Sequence, residues 1–158
     1  MKKYLLFTCF FLVILSFLPG QTAIEIEELL DTGALSYGQA ARFVLRAADL
    51  PGQEDFFKEA DAFGFAADRS WLPGNAASGG KASLEGVSLL IMRSFEIRGG
   101  LFYSVFKSPH YAYRELVYKD IIQGRTDPEM AVSGETLLFL VNRVLSLTEG
   151  NSPMERQQ

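Results

Sequence analysis

Apolar residues along most of this chain recur at spacings of three and four rather than alternating, which predicts amphipathic helices and no extended sheet. Ile24 to Leu30 forms a short helix with acidic residues in its first turn and Gly33 as its stop. Ser36 and Gln39 have capping-box spacing, and a helix running to about Asp49 follows with Phe43, Val44, Ala47 and Ala48 on its apolar face. Pro51-Gly52 ends it. Gln53 to Ala62 is the next helix, with Phe56, Phe57 and Ala60 inward and Gly64 as its C-terminal stop. Ser83 caps a helix carrying Val87, Leu90, Ile91, Ser94 and Phe95, closed by Gly99-Gly100. Ser108 and Pro109 open another that reaches about Lys119, since proline fits the first helical position. After a turn at Gly124 and Thr126-Asp127-Pro128, Ser133 caps the last helix, which carries Leu137, Leu138, Leu140, Val141, Val144 and Leu145 and ends at Leu147.

The fold class is therefore all-α, about six helices in one domain over residues 24–147, with residues 148–158 as a polar, flexible tail. Asp68 to Gly80 is loop by composition, with Trp71 and Leu72 pinning it to the core and Gly74 to Gly80 mobile. Leu101 to Phe106 is either a short strand or a buried helical turn, and periodicity does not separate the two.

The three main helices fall into register on their capping serines, SYGQAARFVLRA, SLEGVSLLIMRS and SGETLLFLVNRV, which begin 47 and 50 residues apart. Ten positions after each serine stands an arginine (Arg46, Arg93, Arg143), and seven positions after it a large apolar residue (Phe43, Leu90, Leu140). Repetition at a fixed period predicts stacked helical units, none able to bury its apolar face alone. The arginines suit a structural role, compensating the helix dipole and covering apolar surface with their stems. Their functional alternative is a repeated polar contact surface.

Composition changes this picture at the N-terminus. Lys2 and Lys3 precede an apolar run of 15 residues from Tyr4 to Leu18, broken at Pro19-Gly20, which is the layout of a secretory signal peptide with cleavage after Gly20 or Ala23. The run falls short of the roughly 20 residues of a membrane span; a retained anchor is the alternative. Cleavage takes the formal charge from −4 to −6 through loss of the two lysines, and leaves no cysteine. Localisation is then periplasmic or cell-envelope, with stability resting on packed apolar faces instead of disulfides. The acidic balance argues against nucleic acid or an anionic membrane as the main partner.

Catalytic chemistry finds little support. His110 is the only histidine, beside Pro109 at a helix start, and reads as a surface residue. One histidine and no mature cysteine leave no zinc or thiol site, and no cofactor is implied. Glu25, Glu27, Glu28, Glu54, Asp55 and Glu59 read as solvated helix faces, with no pair singled out for glycoside hydrolysis. Ser78-Gly79-Gly80-Lys81 lacks phosphate-loop spacing. The aromatic cluster Phe102, Tyr103, Phe106, Tyr111, Tyr113 and Tyr118 is more informative: Tyr111, Arg114 and Tyr118 are read as divided between helix faces, so that some are exposed for contact with sugar or protein.

Tyr113 to Arg143, above all Ile121-Ile122-Gln123-Gly124, Asp127-Pro128 and the capped VSGETLLFLVNR, resembles the S-layer homology repeat of bacterial envelope proteins. The chain as a whole is similar to small secreted envelope proteins of spirochaetes. The resemblance implies helix-turn-helix units that hold cell-wall-linked carbohydrate polymer, without catalysis. It is best in the third unit; the second has an enlarged loop, and in the first Gly33 and Ser36 lie close together. Where the family carries its arginine, just after the cap, this chain has Tyr37, Leu84 and Gly134; two positions on, in place of a glutamate, it has Gln39, Gly86 and Thr136. What transfers is the scaffold, with Gln123, Gly124, Arg125 and Asp127 at the turn. These four, with Tyr111, Tyr113, Arg114 and Tyr118, are the candidate binding residues, and the partner is cell-wall polymer or, alternatively, another envelope protein.

Overall fold

Three backbone hydrogen bonds at the centre of the molecule join the residues that precede the three capping serines. Leu35 N–H donates to the Val132 carbonyl (2.8 Å), Val132 N–H to that of Ala82 (3.0 Å), and Ala82 N–H to that of Leu35 (2.8 Å), which closes a ring. All three residues are fully buried. The capped helices therefore start from one shared point.

The computed structural model describes residues 25–50, 58–124 and 126–149. Among the described residues there are seven helices: α1 over 25–30, then α2 (Tyr37–Ala47), α3 (Glu59–Asp68), α4 (Leu84–Ser94), α5 (Leu101–Phe106), α6 (Pro109–Tyr118) and α7 (Gly134–Glu149). Among the described residues, β-structure is limited to two isolated antiparallel bridges, Ser36 with Lys81 and Ser83 with Ala131, both beside the ring. None of the described helices is long and apolar enough to cross a membrane. The proposed signal peptide and the tail beyond Glu149 lie outside the described residues.

Each capping serine acts as its sequence predicts. Ser36 Oγ accepts from Gln39 N–H while the Gln39 side chain accepts from Ser36 N–H, a complete capping box. Ser83 and Ser133 accept from Gly86 and Thr136 N–H at 3.2 and 3.1 Å. The first amide of each helix is taken by a carbonyl from elsewhere in the chain: Tyr37 by Gly80, Leu84 by Met130 and Gly134 by Thr32, each at 2.9 Å. Helix starts that would otherwise offer free donors to an anion are consumed by the packing of the three units.

Helix α4 is the hub, packing on α6 and on α2. LEGVSLLIMRS is apolar nearly all round, and Leu84, Val87, Leu89, Leu90, Ile91 and Met92 are all buried. Its two buried hydroxyls are satisfied internally, Ser88 Oγ donating to the Leu84 carbonyl and Ser94 Oγ to that of Leu90. Helix α3 packs on α2, α5 on α6, and α7 on α2.

Three local expectations change. The helix placed at Gln53–Ala62 is Glu59–Asp68, so Gly64 lies in its interior, Ala60 is exposed, and Ala62 and Ala66 point inward. Phe56 and Phe57 are outside the described residues. The helix continues past Gly64 because Phe65 meets Trp71 edge-on at 5.6 Å and carries the Arg69 guanidinium 3.6 Å above its ring. Leu101 to Phe106 is helical but not buried: Tyr103 alone turns inward, while Leu101, Phe102, Val105 and Phe106 are exposed. Gly74 to Gly80, read as mobile, is tied down where Ser78 and Gly80 carbonyls accept from Gly38 and Tyr37 N–H. Leu72 and Trp71 pin the loop as expected.

Candidate functional site

Helix α6 carries most of the candidate binding residues. Ser108 Oγ caps it from Tyr111 N–H with Pro109 in the first turn, and it ends at Lys119 with Asp120 in the left-handed region at φ 58°. Positions 111, 114 and 118 are three and seven residues apart. At about 100° per residue they project within about 60° of one another, so these side chains share one face, contrary to their reading as divided. That face is open. Tyr118 is 85% exposed and Arg114 is exposed.

Tyr111 at the head of this face is half-buried between two rings of α5. Phe102 stacks on it at 5.8 Å and 12° and Phe106 at 5.4 Å and 22°, with His110 edge-on at 5.6 Å. His110 is exposed, as a surface residue should be. Helices α5 and α6 thus present one surface of aromatic and aliphatic side chains bordered by Arg114. The sequence contained Phe102 and Phe106, but their burial was expected from hydrophobicity alone.

The turn residues are occupied with holding the turn. Tyr113 Oη donates to the Thr126 carbonyl at 2.9 Å and lies 3.0 Å from Thr126 Oγ1. Asp127 Oδ1 accepts from Glu129 N–H at 2.9 Å, and Gly124 takes φ 80°. The Gln123 amide oxygen, in the orientation that satisfies both side chains, accepts from Arg143 Nη1 at 3.0 Å and Nη2 at 3.1 Å. Arg125 lies outside the described residues. The eight candidates therefore divide: Tyr111, Arg114 and Tyr118 share a surface, while Tyr113, Gln123, Gly124 and Asp127 form the frame of the adjacent turn.

The register arginines meet different surroundings. Arg46 Nη1 and Arg42 Nη2 both pair with the Glu25 carboxylate, at 2.5 and 2.6 Å. Arg143 is held by Gln123 and sits 5.5 Å from the Phe139 ring. Arg93 Nε is buried without a hydrogen-bond partner. Glu27, Glu28 and Glu59 are exposed, as solvated helix faces are.

Geometry explains the first-turn departures. A side chain on Gly134 would run into the backbone carbonyl of Leu29, and one on Gly86 into the Tyr37 ring and hydroxyl. Tyr37 Oη meets Ser83 Oγ at 3.0 Å, so the tyrosine of the first unit reaches the cap of the second. Comparison with family models, curated proteins and solved structures finds no match to this chain.

Proposed function

We propose that this is a non-catalytic, exported envelope protein whose three serine-capped units, similar to S-layer homology repeats, form a rigid scaffold for attachment to cell-wall or envelope glycopolymer. The observation that carries the reading is the open face of α6, where Tyr118 and Arg114 stand beside Tyr111 and its stacked phenylalanines. Tyrosine offers an apolar ring with a polar edge, and arginine a planar fork of donors; both suit a ligand rich in C–H faces and hydroxyls. The signal-peptide layout of residues 1–20 supports export. Sedimentation of the protein with purified sacculi, with and without attached polymer, tests it. Polymer-dependent pelleting that Tyr118→Ser and Arg114→Gln abolish is the expected result, and equal recovery in the supernatant under all conditions would end the reading.

A protein adaptor in the periplasm or at the outer membrane is the second reading, favoured by the exposed apolar side chains of Leu101, Phe102, Val105 and Phe106. A photo-crosslinking residue at position 105 would then capture one defined envelope protein, with no pelleting on sacculi.

A further inference from the structure

Two polar groups that line one cavity of the second unit have no hydrogen-bond partner among the described residues. Arg93 Nε and the Tyr103 hydroxyl are both buried and lack any hydrogen-bond partner, and Tyr103 as a whole is only 5% exposed. Both residues line a cavity of about 600 Å³ whose walls also carry Trp71, Glu96, Arg98 and Lys107. That volume suits a small organic ligand, for which pockets of about 300–1,000 Å³ are usual.

The lining is rich in charged groups. It brings together three cations and one carboxylate. The ion pairs found among the described residues are both made by Glu25, in the first unit, so Arg93, Arg98 and Lys107 have no described carboxylate within pairing distance. The Glu115 carboxylate also acts on the Tyr103 hydroxyl, and the C-termini of α4 and α5 each add at most about half a negative charge, so net charge alone does not favour an anion and the unsatisfied donors carry the recognition.

The other two units supply an internal comparison. At the same register position Arg46 has the Glu25 carboxylate and Arg143 has the Gln123 amide oxygen. Two of the three register arginines thus have an acceptor oxygen, and in the second unit the described residues provide none to Arg93 Nε. Arg46 and Arg93 both stand in the last turn of their helices, so dipole compensation does not distinguish these two, whereas Arg143 lies inside its longer helix. A buried donor left unsatisfied has lost its water without compensation, and an acceptor from outside the chain recovers that loss on binding.

We propose that this cavity binds an oxyanion, a phosphate or carboxylate group carried by a small organic molecule. Arg93 Nε and the Tyr103 hydroxyl donate to its oxygens, Arg98 and Lys107 at the rim supply charge, and Trp71 gives a flat apolar wall to the rest of the ligand. The site is separate from the α6 face, whichever partner that face takes.

Trp71 is the single tryptophan of the chain and reports on the cavity directly. Its fluorescence in the full-length protein is to be titrated with sodium phosphate and with sodium acetate, against sodium chloride at matched ionic strength. The expected result is a saturable change with phosphate, acetate or both that chloride does not produce. Arg93→Gln and Arg98→Gln should each weaken it tenfold or more, Tyr103→Phe severalfold, and Arg42→Gln not at all. Which salt saturates identifies the preferred oxyanion. If Arg93→Gln lowers the melting temperature below the assay range, the exposed pair Arg98→Gln and Lys107→Gln decides. Identical curves with all three salts, or saturation that survives loss of Arg98 and Lys107, would overturn the proposal.

Discussion

The backbone carbonyl of Leu29 occupies the place where a side chain on Gly134 would begin. Helix α1 and the start of α7 are held at backbone contact, with Gly134 N–H donating to the neighbouring Thr32 carbonyl. Gly134→Ala must push backbone against backbone, and should destabilise the protein by about 1–3 kcal/mol. Thermal unfolding would show this as a drop of roughly 2–4 °C per kcal/mol. Gly64→Ala is the matched control: Gly64 lies inside α3 with open space around it, so alanine should stabilise by about 0.5–1 kcal/mol.

Five non-glycine residues with positive φ lie at the ends of helices: Asp49, Ser70, Glu96, Lys107 and Asp120. Glycine ordinarily fills this role. Left-handed backbone costs an L-residue roughly 1–2 kcal/mol, part of which returns as unfolded-state entropy when glycine is introduced. Ser70→Gly should therefore raise stability by about 0.5–1 kcal/mol, read as a shift of the urea midpoint at unchanged slope.

Ser83 does more than the other caps, accepting from Gly86 N–H and meeting the Tyr37 hydroxyl. Ser83→Ala should cost about 2 kcal/mol, at the upper end for cap removal. Ser108→Ala loses only a 3.5 Å bond to Tyr111 N–H and should cost less than about 1 kcal/mol. Equal losses in denaturant unfolding would mean that the contact between units contributes nothing.

Burial pushes the Tyr103 hydroxyl above the ordinary tyrosine range; nearby Arg93 partly opposes the shift and Glu115 adds to it. Its neutral form is favoured in the fold, so the associated stability is complete below about pH 10 and declines as pH rises through the raised folded value. Tyr103→Phe has no such group to ionise. The stability difference between Tyr103→Phe and the parent, measured from pH 9 upward, should move in favour of the variant above about pH 10.

On the open face, Tyr118→Ser removes a side chain that is 85% exposed and should change stability by no more than about 0.5 kcal/mol. Loss of binding in that variant with an unchanged melting temperature would separate contact from folding.

The starts of the helices were legible because a cap is local: Ser36 and Gln39 declare a capping box within four residues. The ends were not. Glycine was sought as the stop, and Gly64 misled, while Ser70 and Glu96 take the left-handed conformation with no local signal. The aromatic face was visible as composition around Tyr111 and Tyr118, whereas the exposure of Phe102 and Phe106 depends on which side of α5 Tyr103 turns inward. The turn residues Gln123 and Asp127 come from the family resemblance, and residue identity alone does not tell that their side chains also have partners within the chain. The pairing of Leu35, Ala82 and Val132 uses backbone atoms alone and leaves no trace in residue identity.

That pairing governs how the molecule can be assembled. Leu35 and Val132 lie 97 positions apart; their approach satisfies the Leu35 amide, but the Val132 amide has no partner until the third member, Ala82, has also arrived. Contacts this distant along the chain are slow to form. Fragments holding one or two of the units would expose bare amides at the centre, so the chain should acquire its structure in a single cooperative step and tolerate no shortening from either side of that triangle.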